Sequence, residues 1–307
     1  MQDNVLDLTN CNICPRHCGV NRYNGLGFCR IGVEPLVASI FLHKGEEPVI
    51  SGEKGICNVF FAHCNLQCIY CQNHQISKNH TANHKWLNNI ENIVENITKI
   101  LDTGVSMLGF VSPSHQVVQM LKIIEGVKEK GYHPTIVYNS NGYDNVETLR
   151  LLENVVDVYL PDFKYFCAGT SKRYSGVADY FDVAAKAIRE MYRQKGSSLI
   201  LNEDGTIAFG LIVRHLVLPG HSYESIKILK YIAENLSPRL HVSLMSQYYP
   251  PENLRLPREL ERDINENEYV QVVNVMHDLG LRGWIQEPES QFHYRPDFNS
   301  QIPFLGD

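Results

Sequence analysis

His63–Asn73 reads HCNLQCIYCQN, and its three cysteines, Cys64, Cys68 and Cys71, follow the spacing C-x3-C-x2-C. Three thiolates this close in the chain converge on one metal centre more readily than they pair with each other. They are one short of the four ligands that a closed tetrahedral zinc site or a complete iron–sulfur cage takes from protein. An open coordination position points to chemistry, because a structural site is normally closed. The spacing leaves a second arrangement open, a zinc knuckle completed by Cys57 or His63.

Outward from this stretch the chain alternates strand and helix. Residues 56–61 read as a strand that delivers Cys64 just beyond its end. Ile90, Ile93, Val94, Ile97, Ile100 and Leu101 then form one apolar stripe on a helix stopped by Gly104. Further strands are predicted at 105–111, 135–138, 155–160, 211–218 and 242–245. Helices are predicted at 146–152, 180–193 and 222–236, around Val117–Val127 and around Tyr269–Leu279. Six strand–helix units in series predict a mostly parallel α/β sheet with right-handed crossovers, short of the eight units of a closed barrel. Such folds bind ligands at the carboxyl ends of their strands. Polar residues stand at those ends: Ser112 and Ser114, Asn139 and Ser140, Asp162 and Lys164, and Ser246 with Gln247, while the strand ending in Leu218-Pro219-Gly220 carries Arg214 and His215 inside it.

The first 50 residues carry a second cysteine group, Cys11, Cys14, Cys18 and Cys29, spaced C-x2-C-x3-C-x10-C. Four thiolates make a closed set, suited to structural zinc or to an auxiliary iron–sulfur cluster; spacing alone does not choose between them. His17 reads as a solvated loop residue or an alternative ligand. The chain therefore divides at residue 50 into a cysteine-rich metal-binding segment with its linker, 1–50, and an α/β domain with a C-terminal tail, 51–307. Residues 38–55 read as an extended linker, with His43, Glu46 and Glu47 either in a solvated turn before Pro48 or facing the site. His74, His80 and His84 read as solvated. Cys167 reads as a small buried apolar residue, with a thiol role as the alternative. The acidic and aromatic tail after Glu287 is expected to wrap the open side or mouth of the fold.

A net charge of −6 supplies no basic face for nucleic acid. No stretch approaches the ~18 apolar residues of a membrane span, since the run Phe209–Leu218 is broken by Arg214 and His215. The polar N-terminus has no signal-peptide pattern, so the cytoplasm is the expected location. Nine cysteines in a reducing compartment are better explained by metal than by disulfides.

The HCNLQCIYCQN stretch resembles the signature of the radical S-adenosylmethionine enzymes. The resemblance implies that Cys64, Cys68 and Cys71 hold three irons of a [4Fe–4S] cluster, that S-adenosylmethionine takes the fourth, and that Tyr70 lies near its adenine. It implies the family's partial (β/α)6 barrel, here with a small N-terminal cysteine-rich segment, and an electron donor such as flavodoxin or ferredoxin. The D-x-K at Asp162–Lys164, the N-S-N-G at Asn139–Gly142 and the R-x-L-V-L-P-G at Arg214–Gly220 resemble the activating enzymes of glycyl-radical enzymes. Carried over residue by residue, this places Asn139, Ser140, Asp162 and Lys164 around S-adenosylmethionine. Where that branch has G-G-E after the second strand, this chain has Ser112-Pro113-Ser114, whose hydroxyls or backbone would have to serve instead. Taken singly, Lys164 and Arg214 read as ion-pair partners; within the resemblance both suit the methionine carboxylate. Together with C-P-R-x-C-G-V-N-R and H-x-x-E-E-P, the motifs resemble the group related to pyruvate formate-lyase activating enzyme. A protein or peptide substrate is implied, with a small-molecule substrate or a non-catalytic zinc protein as alternatives.

Overall fold

The computed structural model describes residues 5–83, 85–251, 254–287, 295–300 and 303–304. In chain order these form β1 (Val37–His43), α1 (Pro48–Ser51), β2 (Ile56–Phe61), α2 (His74–Ser77), α3 (Ile90–Leu101), β3 (Met107–Val111), α4 (Val117–Glu129), β4 (Thr135–Ser140) and α5 (Val146–Leu151). There follow β5 (Val158–Pro161), α6 (Ala168–Ser175), α7 (Tyr180–Lys195), β6 (Ile200–Leu201), β7 (Ile207–Leu216), α8 (Ser222–Asn235), β8 (His241–Met245), α9 (Glu266–Asp278) and β9 (Arg282–Ile285).

The sheet runs β1-β2-β3-β4-β5-β7-β8-β9, with β6 beside β7. From β2 to β9 every neighbouring pair is parallel. β1 joins antiparallel at one edge. β1 and β9 are not partners, so the sheet is an open, partial barrel with the six strand–helix units expected from the sequence.

Parallel strands covered on both faces become apolar on both faces. In β2, Cys57, Val59 and Phe61 point into the core beneath the helices, while Ile56 and Phe60 point to the concave side. Ile93, Val94, Ile97 and Leu101 of α3 bury the matching stripe. Local signals agree with this packing: Asn89 caps α3, Asn145 caps α5, and Asn265 with Glu268 forms a capping box on α9.

Two sequence expectations are corrected here. Residues 38–55 are not a linker: they supply β1 and the single turn α1. The edge of β2 would otherwise present unpaired backbone groups, and β1 covers it. A seventh parallel strand, β9, was missed because Arg282-Gly283-Trp284-Ile285 is short and largely exposed. Its Gly283 lies so close to β8 that a Cβ would stand 1.9 Å from the Val242 carbonyl oxygen. His84 and most of the tail fall outside the described residues. Of the tail, Phe298 and Phe304 pack on the aromatic cluster of Phe41 and Phe60.

Candidate functional site

The carboxyl ends of the parallel strands surround a cavity of about 190 Å³. Cys64, Cys68 and Cys71 line it from the loop after β2, and Tyr70 stands between them. Ser112 lines it from β3, Asn139 and Ser140 from β4, Asp162 and Lys164 from β5, and Arg214 from β7. Thus residues spread over 150 positions of sequence meet at one mouth, because each follows or ends a strand of the same parallel sheet. Ser114 departs from expectation. The turn at Pro113–His115 buries it, and it is not among the residues lining the cavity. Ser112, which opens that turn, adopts the left-handed region at φ 56°, unusual for a residue with a side chain.

The three cysteines are free and stand among hydrogen-bond donors. Asn141 Nδ2 donates to Cys64 Sγ at 3.2 Å, as does the Leu66 amide at 3.4 Å. Ser77 Oγ donates to Cys71 Sγ at 3.2 Å. The hydroxyls of Tyr70, Tyr165 and Ser175 form a chain, with spacings of 2.7 and 2.6 Å, that reaches Cys68 Sγ 3.0 Å from Ser175. Burial, reinforced by the neighbouring Cys68, pushes the Cys64 thiol up to about 12, and burial likewise raises Cys71. Burial thus favours the neutral thiol at Cys64 and Cys71, and a metal must displace that proton to bind. As the side chains stand, no three or more His, Cys, Asp or Glu among the described residues are gathered closely enough to hold a metal ion. The donor set itself fits an iron–sulfur cluster: three soft sulfurs on one wall of a cavity, with polar groups opposite and no fourth cysteine.

The zinc-knuckle alternative loses both of its fourth ligands. Cys57 is buried in β2 opposite Leu108. The two ring nitrogens of His63 each lie 2.9 Å from a carbonyl oxygen, of Cys29 and of Thr81. Neither residue lines the cavity.

Both cations expected to meet a carboxylate ligand already hold protein carboxylates. Lys164 Nζ donates to Asp162 Oδ2 at 2.5 Å. Burial draws the Lys164 ammonium down, but the Asp162 carboxylate outweighs it and holds the group above its ordinary value. Arg214 Nε donates to Glu47 Oε1 at 2.8 Å, and Nη2 pairs with Glu46. Burial would raise the Glu46 carboxyl, yet Arg214 and His43 hold it below the usual range. The solvated-turn reading of His43, Glu46 and Glu47 is thereby overturned: all three are buried or nearly so, and His43 and Glu46 line the cavity.

Sequence reasoning also passed over Asn141. It lay inside the N-S-N-G motif, and its Nδ2 bridges Cys64 Sγ and Asn65 Oδ1. Its neighbour Gly142 has φ 77°, and a Cβ there would meet the Asp162 carbonyl oxygen at 2.1 Å. Ser175 had no sequence signal, standing 107 residues from the Cys68 it contacts.

A family model described as a 4Fe-4S single cluster domain matches residues 50–165, which include all three cysteines of the cavity. An uncharacterised protein, MJ0674 of Methanocaldococcus jannaschii, is 31% identical over 297 residues, covering 92% of this chain and 81% of the relative. Among solved structures, a radical SAM methyltransferase from Sphaerobacter thermophilus superposes with a TM-score of 0.53 at 10% identity, covering 75% of this chain and 66% of that one. The structure of anSMEcpe with AdoMet bound matches with a TM-score of 0.49 at 14% identity, covering 76% of this chain and 59% of its own. This chain thus spans less than two thirds of the length of either solved structure.

Proposed function

This chain belongs to one family with the M. jannaschii protein, within the radical S-adenosylmethionine fold superfamily, and from that premise we propose that it is an enzyme that cleaves S-adenosylmethionine reductively. The single observation that carries the reading is the convergence of Cys64, Cys68 and Cys71 with Asn139, Asp162 and Lys164 on one cavity at the strand ends. A [4Fe–4S] cluster held there would supply the single electron for reductive cleavage of S-adenosylmethionine to methionine and a 5′-deoxyadenosyl radical able to abstract a substrate hydrogen atom.

Cys64, Cys68 and Cys71 hold the cluster, and the N–H and O–H donors of Asn141, Leu66, Ser77 and Ser175 stabilise the charge on their sulfurs. Asp162 and Lys164 offer one carboxylate and one ammonium to the zwitterionic methionine end, exchanging their mutual pair for two ligand contacts. Asn139, Ser140 and Ser112 add neutral polar groups. Tyr70, fixed by its hydroxyl bond to Tyr165, offers a ring face to the adenine. Arg214 is assigned less to the methionine carboxylate than the sequence implied, because Glu46 and Glu47 already occupy it. The apolar wall of Phe60, Val111, Leu216 and Met245 excludes water from a reactive radical.

The hydrogen donor in this reading is a protein or peptide segment, supported by the activating-enzyme resemblance of the N-S-N-G, D-x-K and R-x-L-V-L-P-G motifs. A flavodoxin or ferredoxin would deliver the electron. Anaerobic reconstitution with iron and sulfide, followed by dithionite and S-adenosylmethionine, should release 5′-deoxyadenosine. Cys64→Ala should abolish the release. A fully loaded protein that yields none with several reductants would sink the proposal. A glycyl radical seen by electron paramagnetic resonance on a candidate partner would identify a protein substrate.

A further inference from the structure

Arg22 is 4% exposed, and its partners among the described residues include no carboxylate. Its Nε donates to Cys11 Sγ at 3.1 Å, Nη2 points to Cys29 Sγ at 3.8 Å, and Nη1 donates to the His115 carbonyl at 3.0 Å. A guanidinium buried without a carboxylate is costly, and thiolates gathered on a bound cation would supply the charge it lacks. Cys11, Cys14, Cys18 and Cys29 line one small cavity, none is in a disulfide, and each acts electrostatically on the others. Further N–H groups are turned to these sulfurs. The Phe28 amide donates to Cys18 Sγ at 3.4 Å, and the amides of Arg16 and Ile31 serve Cys14 and Cys29. Gly27 permits the approach, since a Cβ there would stand 3.1 Å from Cys18 Sγ.

Size selects the guest. The space among the four thiols is about 10 Å³. That is room for about one atom-sized occupant, about what a single water needs. The cavity at Cys64 is about 190 Å³. A cubane core of four irons and four sulfides needs more room than this, whereas a single tetrahedral ion would need the four side chains only to draw in around it.

The same loops lean directly on the cluster stretch. Phe28 offers its carbonyl to Asn79 Nδ2 at 2.8 Å, and Asn79 Oδ1 accepts the Cys64 amide at 3.0 Å. Arg16 Nε donates to the Asn65 carbonyl at 2.7 Å, and the Cys29 carbonyl stands 2.9 Å from His63 Nδ1. These contacts hold residues 63–65 from one side.

We propose that Cys11, Cys14, Cys18 and Cys29 bind a single zinc ion as a tetrathiolate, with Arg22 as its counterion, and that this centre braces the loop carrying Cys64. The proposal requires no step of S-adenosylmethionine cleavage, so failure of that chemistry leaves it standing. The test uses the full chain purified anaerobically, with Cys64, Cys68 and Cys71 all changed to Ala so that any metal left belongs to the N-terminal set. About one zinc per chain with no inorganic sulfide is expected, and cobalt substitution should give the ligand-field bands of a tetrahedral tetrathiolate. Iron with sulfide in that variant, or no metal, overturns the proposal. For the brace, Cys14→Ser/Cys18→Ser in the otherwise native chain should lose the zinc and lower iron loading at Cys64–Cys71 several-fold. Asn79→Ala, which spares every cysteine, should keep the zinc and also lower the loading. Full iron loading in both variants overturns the brace.

Discussion

Arg214 is enclosed by two carboxylates rather than left free for a ligand. The side chains of Arg214, Glu46 and Glu47 are 16%, 8% and 3% exposed. Asn58 Nδ2 donates to Glu46 Oε1 at 2.9 Å, which completes the set. Removing one member of a buried ion set costs more than the set contributes, because it strands the opposite charge. Arg214→Met should therefore destabilise the fold by about 3–5 kcal/mol, measured by urea denaturation at neutral pH. Adding Glu46→Gln and Glu47→Gln to that variant should recover a large part of the loss. If the triple variant is no more stable than Arg214→Met alone, stranded charge is not the cause. Because Glu46 is held below the usual carboxylate range, its contribution is present at neutral pH and is lost as pH falls below that range.

At the scale of elements, α6 is positioned by a side chain from α8. Glu224, in the first turn of α8, accepts the amides of Phe166 and Cys167 at 2.9 Å each and the hydroxyl of Thr170. The two amides belong to Cys167, the N-cap of α6, and to the residue before it, so the carboxylate fixes the entry of the chain into the helix. At its other end α6 carries Ser175 to Cys68, and the Tyr174 carbonyl accepts the Ile69 amide. Burial would raise the Glu224 carboxyl, but His221, Thr170 and the two amides hold it down at about 2. The folded value is below the unfolded one, so this stabilisation is complete above the ordinary value of 4.5 and is lost as pH falls towards about 2. Glu224→Gln should flatten the fall in stability below pH ~4.5 by up to ~1 kcal/mol per pH unit, read from urea midpoints at stepped pH. Equal slopes in variant and wild type would contradict the assignment.

For the whole molecule, the open sheet leaves its functional residues on separate strands. The cavity is walled by β2, β3, β4, β5, β7 and β8 or the residues just after them, with the Cys64 loop across the top. A ligand bound there joins elements that are otherwise linked only by backbone pairing and the core. Adding S-adenosylmethionine to the cluster-loaded protein should therefore raise its global stability, by ~2.7 kcal/mol at a hundredfold excess over Kd. The cluster-free protein should gain much less. Denaturation midpoints across a titration check this, and a gain independent of the cluster would argue that the open coordination position is not the anchor. Among the described residues no helix is long and apolar enough to cross a membrane.

The sequence by itself determined the repeating strand–helix order, because buried parallel strands and amphipathic helices leave periodicities that survive without context. It also singled out the two cysteine sets as candidate metal ligands, since ligands close in sequence are constrained by spacing. Seven of the eight residues that the resemblance and the strand ends suggested for S-adenosylmethionine line the cavity; Ser114 alone was turned away by a tight helical turn. Tertiary structure decided what depends on contacts across the chain. β1 and β9 exist because the edges of the sheet needed partners, not because their own residues insist on strand. Glu46 and Glu47 looked like a solvated turn until β1 brought them against Arg214, 167 and 168 residues away. Asn141, Ser175 and Arg22 acquire their sulfur contacts only in the fold, since a hydrogen bond to a distant thiol writes no periodicity into the sequence. The proposal of one metal ion rather than a cluster at the N-terminal cysteines likewise rests on the volume of the cavity they line, a quantity that exists only once the chain has closed around it.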